Sequence, residues 1–149
     1  MTVEKNPIVI GSDHAAFDLK ENIKNYLQQR GYEIEDVGTH STESVHYPEY
    51  GRKVASRVAD GQFKQGILMC GTGLGMSMVA NKFPGVRAAL CNNLFAAAMS
   101  RRHNNANILV MGGRVIGVDL AHEIVQIFLR TEFEGGRHQL RLDQFDRLP

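Results

Sequence analysis

The stretch Cys70-Gly71-Thr72-Gly73-Leu74-Gly75 sets a thiol directly before three closely spaced glycines and a helical pattern. Glycines at this density let successive backbone N–H groups curl around an anion, and a helix start adds partial positive charge to the same spot. A phosphate or an enediolate oxygen fits such a cradle. A thiol beside a helix start has its thiolate form stabilised, which makes Cys70 a usable base. The bland alternative is a tight turn after a buried strand that ends in an inert cysteine. The spacing is GxGxG, not GxGxxG, and no acidic residue follows within forty positions to hold a ribose hydroxyl, so a dinucleotide site is not indicated. A Walker lysine is also missing.

Four further groups carry polar chemistry. Gly11-Ser12-Asp13-His14 offers a carboxylate and an imidazole able to exchange protons with sugar hydroxyls or to contact a phosphate, although Asp13 could equally cap a following helix. His103-Asn104 and Gly112-Gly113-Arg114 supply a second imidazole and a guanidinium. Arg137 and Arg141 are one helical turn apart, so both could face one phosphate, or could belong to a solvated basic tail. The six histidines show neither HxH nor HExxH spacing, and Cys70 and Cys91 have no metal-ligand partners nearby, so no metal is expected. A Cys70, His103, Asp13 triad would suit a cysteine hydrolase, but no GxSxG or GxCxG elbow accompanies it.

The elements that must position these groups alternate between short β-branched runs and longer helical patterns. Strands are predicted over 7–10, 32–37, 66–70, 86–91 and 108–111. Helices are predicted after each, with apolar faces through Leu19, Ile23 and Leu27, through Tyr50, Val54 and Val58, over 73–82, from Asn93 to His103, and over 118–129. A basic, helical tail begins near residue 134. Five strands each followed by a helix predict an α/β fold with a parallel sheet covered on both faces. Ligands then bind outside the carboxyl ends of the strands, where the loops with the unusual residues lie.

The totals agree with one domain over residues 1–149. The chain is 43% hydrophobic and 22% charged with a net charge of +1, which excludes a disordered tail or a polybasic nucleic-acid binder. Between Asp60 and Asp119 there is no acidic residue, yet Lys64, Lys82, Arg87, Arg101, Arg102 and Arg114 all fall there. A carboxylate-free centre suits a small anion, and it limits any base there to Cys70, a histidine or a carboxylate from elsewhere. The opening residues hold no signal-peptide core, no 18-residue apolar stretch follows, and two cysteines make no disulfide framework. A cytoplasmic protein without membrane contact is expected.

Taken together, GSDHAAF, HYPEY, CGTGLGMSMVANKFPGVRAAL, SRRHNNANILVMGGRVIG and FEGGRHQLR resemble, in order and over nearly the whole chain, the ribose-5-phosphate isomerase B family with its galactose-6-phosphate isomerase relatives. The resemblance implies a Rossmann-like three-layer αβα sandwich, a homodimer or dimer of dimers with sites between subunits, and no cofactor or metal. It implies Cys70 as proton shuttle, Gly71, Thr72, Gly73, Leu74 and Gly75 as anion hole with Thr72 on the carbonyl oxygen, and His103 as the ring-opening acid with Asp13 beside it. His14, Arg114, Arg137 and Arg141 match phosphate positions, the last two in the partner's site, and Tyr47 and Asn104 match substrate-lining ones. The expected reaction interconverts ribose 5-phosphate and ribulose 5-phosphate. His46 stands where relatives often carry Asp, and Leu94 where many have Tyr, so a four- or six-carbon aldose phosphate is the rival substrate. A non-catalytic sugar-phosphate sensor is the rival outside this reaction class.

Overall fold

A computed structural model describes residues 5–149. Five strands, β1 (Ile8–Ser12), β2 (Ile34–Asp36), β3 (Gln65–Cys70), β4 (Ala88–Leu90) and β5 (Ile108–Gly112), form one parallel sheet in the order β2-β1-β3-β5-β4. The apolar runs of β1 and β5 are buried throughout, and β3 from Gly66 onward, as strands covered on both faces require. The edge strands β2 and β4 are only half-buried and are shorter than their β-branched runs predict, because each pairs on one side only.

Helices α1 (Phe17–Gln29), α4 (Leu94–Arg102) and α5 (Val118–Arg130) cover one face through Ile23, Leu27, Ala97, Ile124 and Phe128. Helices α2 (Tyr47–Ala59) and α3 (Leu74–Ala80) cover the other through Val54, Val58, Met76 and Ala80. The layers are those of an αβα sandwich, and complete burial of an aliphatic or aromatic side chain in them stabilises the fold by about 1.5–3 kcal/mol. Pro48 stands in the first turn of α2, where its missing N–H costs nothing, and Asn93 caps α4 by accepting from the Ala96 amide at 2.7 Å. Helix α3 stops short of the predicted residue 82 because Asn81 leaves the helix to bridge to β4, accepting from the Ala88 amide and donating to the Ala88 carbonyl.

A short 3-10 turn (His14–Ala16) precedes α1, and α6 (Arg137–Asp146) ends the chain. Gly135 and Gly136, both at positive φ, delay α6 beyond the predicted start near 134. No helix among the described residues is long and apolar enough to cross a membrane.

Candidate active site

The strand order places the exits of β1, β3 and β5 side by side. Helix α1 leaves β1 toward one face while α3 leaves β3 toward the other, which opens a crevice between the two strand ends. Two glycines of β5 and its exit draw the three loops together. A Cβ on Gly112 would lie 2.6 Å from the Thr72 carbonyl oxygen, and one on Gly113 would lie 3.0 Å from Ala16 Cβ. Backbone bonds then lock the exits: Gly113 N–H to Cys70 O and Arg114 N–H to Gly71 O, both 2.9 Å, and Asp13 N–H to Met69 O, 3.2 Å.

Cys70, almost buried at the end of β3, accepts a hydrogen bond on Sγ from the Gly73 amide at 3.2 Å. Gly73 turns the chain into α3 with φ +83°, and a Cβ there would lie 2.4 Å from Leu90 Cδ1, so any other residue is strained in its backbone and must push the Leu90 side chain aside. Thr72 Oγ1 accepts from the Leu74 amide at 3.2 Å, and the amides of Gly71 and Thr72 donate to nothing among the described residues. Against Gly75 lies the Tyr47 ring, at 2.5 Å from a notional Cβ. The loop is therefore a curl of free and thiol-directed N–H groups, one wall of which is an aromatic ring.

Asp13 is buried and caps the 3-10 turn, its Oδ1 accepting from the Ala16 amide at 3.2 Å. His14 Nδ1 accepts from the Val45 amide at 3.1 Å, which fastens the loop before α2 and fixes Nε2 as the ring's remaining proton site. Arg114 is exposed beside Gly71, whose notional Cβ would lie 3.4 Å from the Arg114 Nη1. Cys70, the 71–75 loop, Asp13, His14, Tyr47 and Arg114 thus share the carboxyl edge of the sheet.

His103, Asn104, Arg137 and Arg141 do not join them within one chain. Helix α4 runs back from the carboxyl end of β4, so His103 at its C-terminus lies by the strand beginnings. There Asn105 O accepts from Arg87 Nε, and the neighbouring Asn107 O accepts from the Gly66 amide at the start of β3. The His138 ring of α6 stacks on His103 with centroids 4.2 Å apart, which brings Arg137 and Arg141 to the same edge. His103 therefore does not sit beside Asp13 of its own chain; the backward course of α4 separates them.

Glu134 and His138 joined no candidate site in the sequence. The Glu134 Oε2 accepts from Arg102 Nε at 2.8 Å, and this bond is the main reason its carboxyl titrates below the usual range. Burial, followed by the nearby His103 and Arg137, holds the His138 imidazole below its ordinary value. The only signal was a histidine four residues after a glutamate in a glycine-interrupted segment, and the stacking partner His103 is far away in sequence.

The family model described as ribose/galactose isomerase matches residues 8–145. The chain belongs to the ribose/galactose isomerase family. This isomerase is 48% identical over 136 residues to ribose-5-phosphate isomerase B of Escherichia coli, covering 91% of each chain. It is 47% identical over 130 residues to a D-erythrulose-4-phosphate isomerase of Pectobacterium atrosepticum, covering 87% of this chain and 86% of the relative. Among solved structures, ribose 5-phosphate isomerase of Thermotoga maritima superposes with a TM-score of 0.95 at 53% identity, covering 97% of this chain and all of that one. The Rossmann-like architecture and the isomerase class both follow from these matches.

Proposed function

We propose that this isomerase interconverts ribose 5-phosphate and ribulose 5-phosphate with Cys70 as the proton-shuttling base. The observation that carries the reading is the Gly73 N–H directed at Cys70 Sγ beside the unused amides of Gly71 and Thr72. That donor fixes the position of Sγ, and the free amides offer an oxyanion two more donors. After the sugar ring opens, the thiolate takes the C2 proton, and electrons move to the aldehyde oxygen to form a cis-enediolate. The amides of the 71–75 loop and the Thr72 hydroxyl hold it. The thiol returns the proton to C1 as O2 gives up its own proton toward O1 and becomes the ketone. One preorganised oxyanion donor contributes roughly 3–4 kcal/mol to such a transition state, so the loop matters as much as the base. The steps balance without a cofactor.

His103 serves as the ring-opening acid, with Asp13 across the substrate, and Asn104, Arg137 and Arg141 join it from a second copy; the tail from about residue 134 is the part that reaches across. His14 and Arg114 meet the phosphate from the near side, and Tyr47 lines the sugar. A homodimer is supported by the unshielded apolar groups flanking edge strand β4: Leu74 and Met78 on α3 and Phe95 on α4 are 52%, 67% and 75% exposed. Two such dimers could pair.

The test is isomerisation in deuterated water. Wild-type protein is expected to wash label into C2, whereas Cys70→Ala loses both exchange and turnover yet still binds the phosphate ester. Near-normal turnover of that variant refutes the base, and absence of exchange in the wild type supports a mere sugar-phosphate sensor. The Pectobacterium relative favours a second reading, a four-carbon substrate, and Leu94 and His46 are the positions where the chain departs from the residues that the family resemblance leads one to expect. Initial rates across four-, five- and six-carbon aldose phosphates decide between them; a higher kcat/KM for the four- or six-carbon ester overturns the ribose assignment.

A further inference from the structure

The amino edge of the sheet holds a convergence of metal-ligating atoms that the reaction proposed above does not explain. Nε2 of His103 lies 3.8 Å and Nε2 of His138 lies 3.5 Å from the same Glu134 oxygen, Oε1. The ligand atoms of all three residues are within 4.8 Å of one another. Neither nitrogen is close enough to hydrogen-bond that oxygen, so the three groups face one another without satisfying one another. Tetrahedral zinc with bonds of about 2.0–2.1 Å places its ligand atoms about 3.3–3.4 Å apart, so the two edges that run to Oε1 need to contract by a few tenths of an ångström, while the third, between the two nitrogens, lies within 4.8 Å and closes only as a ring turns.

The three ligands come from separately anchored places. His103 caps the C-terminus of α4, and His138 sits in the first turn of α6, nearly buried. Glu134 is tied by its amide to Arg102 O at 3.0 Å, and Arg102 Nε holds Oε2 at 2.8 Å, which leaves Oε1 for the imidazoles. The rings lie face to face with planes 12° apart, so their in-plane lone pairs run side by side, and ligation by both requires one ring to rotate out of the stack and turn its Nε2 toward the other. Two imidazoles and one carboxylate with water in the fourth place make a familiar zinc donor set. The neighbouring Arg102, Arg137 and Arg141 repel any cation held by charge alone. They leave ions that form strong bonds to nitrogen and disfavour magnesium and calcium, which seek oxygen ligands.

We propose that His103, Glu134 and His138 form a binding site for a divalent ion of the zinc class, and that its occupancy inhibits the isomerase. The inhibition rests on the reading of His103 as ring-opening acid, since the ion occupies its Nε2; the binding does not.

Calorimetric titration of the intact protein with zinc alone tests the site, in a Cys70→Ser background so that the thiol cannot serve as ligand. One zinc per chain is expected, with affinity at least tenfold weaker in Glu134→Gln and in His138→Gln, and no heat from magnesium. Unchanged zinc affinity in both folded variants, as judged by circular dichroism, overturns the site, as does loss of zinc binding on introducing Cys70→Ser alone. With Cys70 intact, zinc is expected to stop turnover reversibly by chelator, and Glu134→Gln to need at least tenfold more zinc for the same loss. If one zinc binds through Glu134 and His138 and turnover is untouched, the site stands, but its inhibitory role and the ring-opening reading of His103 both fail.

Discussion

At Gly73 two separate physical demands meet. Its φ of +83° costs an L-residue roughly 1–2 kcal/mol, and a Cβ would also strike Leu90 Cδ1 at 2.4 Å. Gly85 has nearly the same φ, +82°, but nothing within 4 Å of a notional Cβ. Gly85→Ala is therefore expected to lose only the backbone cost, about 1 kcal/mol, with normal turnover. Gly73→Ala should lose about 2–4 kcal/mol in urea denaturation, because the overlap adds to the strain, and should lose turnover beyond that as the amide leaves Cys70 Sγ. Equal stability of the two variants would show that the Leu90 contact yields freely.

Among the elements, the join between α1 and β2 governs how the loop before α2 meets the site. Lys20 of α1 is fully buried and donates to Asp36 Oδ2 at 2.5 Å and to Glu21 at 2.8 Å, and Lys24 reaches the same Asp36 oxygen at 3.0 Å. The other Asp36 oxygen accepts from the Gly38 amide at 2.9 Å, and Gly38 and Thr39 then bond to Ser12 at the exit of β1. Burial raises the Asp36 pKa, but the bonds from Lys20, Lys24 and Gly38 outweigh it and hold the carboxyl below its usual range. The stability this adds is fully present above the ordinary carboxylate value of about 3.9 and is lost as pH falls through the lower folded value. Asp36→Asn is expected to cost up to about 3 kcal/mol at neutral pH, since Lys20 stays buried with only Glu21 beside it, and to flatten the acid limb of the stability profile. Denaturation midpoints from pH 2 to pH 7 measure both; parallel profiles for variant and wild type would remove Asp36 from the account.

On the scale of the whole molecule, the polar groups are divided between opposite edges of one sheet. Cys70 and its loop occupy the carboxyl edge, while His103, Arg137 and Arg141 occupy the amino edge, and no side chain spans a sheet along its strands. A site that uses both sets is built only between copies. Mixing denatured Cys70→Ala and His103→Ala chains and refolding them together is expected to restore turnover that neither variant has alone. Random pairing gives about a quarter of the wild-type rate, because half the dimers are hybrid and each hybrid holds one intact site. No recovery in hybrids verified by mass would place both groups in the same chain's chemistry.

The alternation of strand and helix, the parallel sheet and the strand-end position of Cys70 were all legible in the sequence. They depend on periodicity and glycine spacing, which are local. The start of the fourth helix at Asn93 was legible for the same reason. Strand order was not, because β5 enters between β3 and β4 through crossovers whose destinations no local pattern encodes. The same order gives Gly112 and Gly113 their meaning, since the backbone of Thr72 and the Ala16 side chain are what approach them. The resemblance sets His103 beside Asp13 in a site between subunits; within one chain the return path of α4 sends it to the other edge, against Glu134 and His138. The sequence by itself determined which groups can do chemistry. Which of them meet was decided by tertiary structure, because contacts across thirty or more residues depend on how whole elements pack.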